Sequence, residues 1–166
     1  MDTIITVPTL CLNLIPAAFA YNAKHFLEAA KTCQITKPGS YSPVPYFLYC
    51  KGFELAFKAL ILNKKPNDEG KLKKNLGHDL GKALDEVRNT TGRKLISKQD
   101  ETTLAALSRH YGNDGKTQRG FEYFTTNIKS SVLRGYSDLP TMEAMDAIAS
   151  QLIAELELIK FNLNVS

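Results

Sequence analysis

With 166 residues, 43% of them apolar and 23% charged, the chain has the length of one domain and the balance of a globular one. A chain of this size buries roughly 70% of its unfolded surface, so it needs no disulfide or metal staple, and its composition excludes global disorder. The net charge of +4 is too small to mark a nucleic-acid binder by itself.

Residues 1–15 are rich in Thr, Ile and Leu but have no cationic start or cleavage-like end, which argues against a secretory signal and suggests an extended arm. No run reaches the ~18 uncharged apolar residues of a spanning helix, so no membrane segment is expected. Cys11, Cys33 and Cys50 are odd in number and widely spaced. Cys33 and Cys50 fall on the apolar sides of expected helices, so reduced, buried thiols and a cytoplasmic setting are expected, with no metal site and no cofactor.

Pro16 suits the first turn of a helix, and Phe19, Ala23, Phe26, Leu27 and Ala30 continue an apolar face to Thr32. Lys37-Pro38-Gly39-Ser40 breaks the chain. A second helix is expected over Val44–Asn63, where Phe47, Leu48, Cys50, Phe53, Leu55, Phe57, Leu60, Ile61 and Leu62 cover almost the whole circumference. Such a helix belongs at the centre of a bundle. Its one polar stripe is Lys51, Glu54 and Lys58, spaced for a helix ion pair. The stripe reads either as a solvated face or as the wall of a shallow cleft for a phosphate or a partner carboxylate.

After a lysine-rich connection, a third helix is expected over His78–Thr90, with Asp79 favoured by the helix dipole in its first turn and His78 beside the cap. A buried carboxylate on the apolar second helix cannot stay unpaired. Glu54 is therefore expected to bond Lys58, His78 or the exposed amides of the third helix. Ser97-Lys98-Gln99-Asp100 resembles a capping box and opens a fourth helix to Tyr111, where Arg109 and His110 complement the C-terminal dipole. Residues 112–137 follow no single period. Lys116, Arg119, Lys129 and Arg134, interleaved with Tyr123 and Phe124, form a basic-aromatic stretch suited either to loop packing or to single-stranded nucleic acid. A last helix, opened by Asp138-Leu139-Pro140-Thr141, is expected to reach Asn162. Its seam of Met142, Met145, Ala149, Leu152, Leu156, Ile159 and Leu163 fits either bundle packing or a dimer. Together these elements give an all-α, antiparallel bundle of about five helices in a single domain.

Lys51-Gly52-Phe53-Glu54-Leu55-Ala56-Phe57-Lys58-Ala59-Leu60, followed by Gly77-His78-Asp79-Leu80, resembles the HEPN (higher eukaryote and prokaryote nucleotide-binding) domain family. The resemblance covers about forty residues and implies a small, often dimeric helical bundle. It also implies a family in which many members are metal-independent ribonucleases and others are inactive partners or adaptors. Active members carry an Arg, four to six residues, then a His. No Arg–His pair here has that spacing, and Arg109 and His110 are adjacent. The expectation is thus a non-catalytic bundle acting as a homodimer or with a protein partner. The alternatives are a diverged ribonuclease, with His110 as acid-base and Arg109 or Arg119 on the phosphate, and an RNA or nucleotide binder.

Overall fold

The computed structural model describes residues 16–33, 42–65, 70, 72, 76–111 and 139–159. These contain five helices and no strand: α1 (Pro16–Thr32), α2 (Pro43–Lys64), α3 (Leu80–Thr91), α4 (Lys98–Tyr111) and α5 (Met142–Glu157). The fold is an all-α helical bundle. Helix α2 touches each of the other four, as its nearly continuous apolar surface requires. Its Tyr49, Phe53, Phe57, Ile61 and Leu62 are fully or almost fully buried.

Local polar bonds close several of the helix ends. Ser42 accepts the Val44 N–H at the start of α2, where Pro43 occupies the first turn without forfeiting an intrahelical bond. Asp79 caps α3 by accepting the Lys82 N–H at 3.0 Å, so this helix begins at Leu80, two residues later than expected. It ends on Gly92, whose φ of 67° is the left-handed conformation favoured by glycine. Ser97 and Asp100 form the reciprocal box: Ser97 Oγ accepts the Asp100 N–H at 3.1 Å, and Asp100 accepts the Ser97 N–H at 3.2 Å. Thr141 accepts the Ala144 N–H and opens α5, which stops at Glu157 rather than at Asn162.

Helices α1 and α2 share the most extensive contact. They approach so closely at Gly52 that a Cβ there would stand 2.5 Å from Leu27 Cδ2, inside any normal contact. Leu27 itself is fully buried. The absence of a side chain at residue 52 is therefore what seats α1 against α2.

As far as Ile159 the seam of α5 is consumed within the chain, and Leu163 lies outside the described residues. Met145, Ala149, Leu152, Leu156 and Ile159 all lie in the core, and Met142 packs partly buried against it. Hydroxyl groups on α2 hold the start of this helix: Tyr46 Oη donates to the Pro140 carbonyl at 3.2 Å, and buried Tyr49 donates to the Asp146 carboxylate. Cys50 is buried as expected, but Cys33 is exposed because it follows the last turn of α1, where the apolar face has already ended. The expected arm at residues 1–15, Cys11 and the basic-aromatic stretch with Arg119 lie outside the described residues. Among those described, no helix is long and apolar enough to cross a membrane.

Candidate functional site

The polar stripe on α2 is not a solvated face. Glu54 is 2% exposed, while Lys51 and Lys58 reach inward toward it from one turn before and one turn after. The helical repeat places these three side chains on one line, and the 78th residue arrives at the same point from the turn before α3.

Four side chains donate to this one carboxylate. Lys58 Nζ is 2.5 Å from Oε1, and Lys51 Nζ is 3.4 Å from both oxygens. Tyr111 Oη donates to Oε2 at 2.5 Å, and His78 Nδ1 meets the same oxygen at 2.9 Å. Lys58 also reaches the Gly77 carbonyl at 3.4 Å, which ties it to the turn that delivers His78. The His78 ring stands edge-on to Tyr111, with centroids 5.6 Å apart, and Phe47 leans on the same tyrosine at 6.1 Å. A further bond, from the Leu80 N–H to Ser108 Oγ at 3.2 Å, holds the first turn of α3 to α4.

Burial alone pushes a carboxyl pKa upward because it penalises the charged form. Here hydrogen bonds from Lys58, Tyr111 and His78, with the charge of Lys58 nearby, more than offset that burial, and the Glu54 pKa falls to about 2. Glu54 is therefore an anion at any ordinary pH. It acts as the common acceptor that joins α2, the turn before α3 and the end of α4. Burial dominates the nearby Cys50 thiol, which it pushes up; the Glu54 charge adds to the effect, so this thiol stays protonated and inert.

Lys51, Glu54, Lys58 and His78 thus converge, and Glu54 meets two of its expected partners, Lys58 and His78, rather than helix amides. Asp79 stands beside the cluster but serves α3, as its cap and as a partner of Lys82. Neither Arg109 nor His110 is among the partners of Glu54; Arg109 is exposed and His110 half-buried at the end of α4. Tyr111, the residue after them, enters the cluster. Sequence reasoning placed Tyr111 on the core side of α4 but missed its bond, which spans 57 positions. The available signal was a buried tyrosine hydroxyl, which requires a partner.

Among the described residues, no three of His, Cys, Asp and Glu gather as metal ligands would. No protein-family model, curated protein or solved structure matches this chain.

Proposed function

We propose that this protein is a non-catalytic, HEPN-like helical bundle that acts by association, with a second copy of itself or with another protein. The observation that supports this reading is the state of Glu54. A general base needs an open acceptor position and a pKa near the working pH. Glu54 is buried, accepts from four side chains and has its pKa held at about 2. Such a group fixes helices in place rather than moving protons. The motif-bearing segments of α2 and the turn before α3 then serve as the rigid part of the molecule. Because the α5 seam is occupied by its own core, association uses some other face.

Light scattering over a micromolar concentration range tests self-association, and pull-down with the full chain tests partner binding. A strict monomer that retains no protein would remove the reading. A ribonuclease centred on His110 predicts RNA cleavage that His110→Ala abolishes. The expected result is no cleavage of structured or unstructured RNA by either form.

A further inference from the structure

At the end of α3 remote from His78, the chain turns through Gly92 toward α4 and leaves a cavity of about 420 Å³. Arg88 and Asn89 from the last turn of α3, Gly92, Arg93 and Lys94 from the connection, and Glu101 from α4 line it. No side chain of the Glu54 cluster takes part. The side chains of Arg93 and Lys94 are 58% and 62% exposed, so the cavity is open to solvent on that side. A small molecule held tightly needs most of its surface covered. An open cavity of this kind suits a group presented by another chain instead.

The cavity has donors to spare and few acceptors. The terminal nitrogens of Arg88 are given to Glu101 and Asp85, while its Nε is buried without a hydrogen-bond partner. Arg93 spends two of its five N–H donors on Glu155, at 2.7 and 2.8 Å. Lys94 Nζ stands 3.9 Å from Glu101 Oε1, too far for a hydrogen bond. Asn89 is exposed and adds a side-chain amide. Against these donors, Glu101 is the acidic residue of the lining, and its Oε1 already receives Arg88.

Charge narrows the choice of occupant. Arg88, Arg93 and Lys94 face three carboxylates, those of Asp85, Glu101 and Glu155. The C-terminal dipole of α3 adds about half a negative charge. No positive excess is left to hold a dianion. What the cavity lacks is acceptor oxygens rather than negative charge, and a carboxylate supplies two of them with a single charge. An amide is a weaker acceptor and brings N–H groups for which the cavity has little use.

We propose that this cavity binds a carboxylate group presented by a partner protein, with Lys94 and Arg93 as its donors. An acidic side chain and a chain terminus offer the same chemistry. The inference rests on the association reading for the source of the carboxylate, and it gives that association a face, the junction of α3 and α4.

The test is nitrogen–proton correlation NMR of the full chain at low salt. N-acetyl-glutamate α-amide represents the side-chain source and N-acetyl-alanine the chain terminus. At least one of them should move the backbone signals of Asn89, Gly92, Arg93 and Lys94 saturably in the millimolar range, and the tighter binder names the source. The uncharged amide counterpart of each should leave those signals in place. Lys94→Gln alters a side chain that makes no hydrogen bond among the described residues. It should weaken binding about fivefold, the upper end for an exposed charge pair, whereas Lys82→Gln at the other end of α3 should not. Inorganic phosphate should bind no more tightly than the better carboxylate. The proposal is overturned if neither carboxylate moves these signals, if the amides match them, if Lys94→Gln binds as wild type, or if phosphate binds clearly more tightly. Light scattering and pull-down on the same samples keep the two readings apart. Carboxylate binding without association removes the association reading and leaves the site, and association without carboxylate binding does the reverse.

Discussion

Two of the ion-pair systems among the described residues share a Glu acceptor and differ in almost everything else. Around Glu54, one buried carboxylate receives four donors from α2, α4 and the turn before α3. At the opposite end of α3, Arg93 grips Glu155 of α5 through two bonds of 2.7 and 2.8 Å, but its side chain is 58% exposed. Nearby, Arg88 pairs with Glu101 in a half-buried contact and with Asp85 at the surface, and Lys94 approaches Glu101. The bidentate geometry of Arg93 is better than any single contact in the Glu54 cluster. Water nevertheless screens the exposed pair and competes for its partners, while the donors around the buried carboxylate have little water to turn to if it is removed. Geometry makes a pair recognisable, but burial decides what its loss does.

The sharpest way to break the contrast is Glu54→Leu. Removing the acceptor leaves Tyr111, His78 and two lysines without a common partner, and the expected loss is about 3–5 kcal/mol in chemical denaturation. Glu54→Gln keeps one carbonyl acceptor and should lose clearly less. Equal midpoints for Glu54→Leu and wild type would reduce the cluster to the status of the surface clasp.

Acid gives the same comparison without mutation. The folded pKa of Glu54, about 2, lies below its ordinary value of 4.5, so its contribution is complete above about pH 4.5. It fades as the pH falls through that window toward 2, because the unfolded chain binds the proton first. The gap corresponds to about 3 kcal/mol. Urea midpoints measured from neutral pH to pH 2 should fall steeply in this range for wild type. In Glu54→Gln the slope should flatten, whereas Glu155→Gln should leave it nearly intact.

Tyr111→Phe sharpens the contrast by removing one donor and leaving the carboxylate ionised. The expected loss is about 1–3 kcal/mol, read in the same titration, with the acid transition moved to higher pH. The smallest effect belongs to Arg93→Ala, about 1 kcal/mol or less. That loss should shrink further in high salt, which the Glu54 variants should ignore; a salt-independent loss above it would mean that the clasp is functionally buried.

The same distinction separates what could be read in the chain from what could not. The central place of α2, the Asp79 region as a helix start, the Ser97–Asp100 box and the Thr141 start all follow from residues within one or two turns of each other. Glu54 was legible as a group that needs partners, because a carboxylate among Phe53, Leu55 and Phe57 has no cheap exposed alternative. His78 and Lys58 were within reach of that argument. Tyr111 was not, because a contact between residues 54 and 111 depends on how α4 packs, which no local pattern encodes. The α5 seam was legible as apolar but not as internal or external. Its spacing is the same in both cases, and only the positions of α1, α2 and α4 settle which one applies. The contact of His78 through Nδ1 is likewise a product of assembly, since a sequence shows an imidazole but not which of its nitrogens is engaged.

The hydroxyl groups of α2 also carry a message about time. Tyr46 and Tyr49 find their partners, Pro140 just before α5 and Asp146 within it, 94 and 97 residues away, while Lys58 meets Glu54 after four and His78 meets it after 24. Short closures forfeit less chain entropy before any contact rewards them, so local pairings form ahead of distant ones. The order of assembly written into these separations is α2 with the His78 turn first, Tyr111 of α4 next and α5 last. In a chevron experiment, loss of the His78 contact should appear mainly as slower folding, whereas Tyr46→Phe should leave folding nearly unchanged and speed unfolding. The reverse pattern would mean that α2 and α5 find each other before the Glu54 cluster is built.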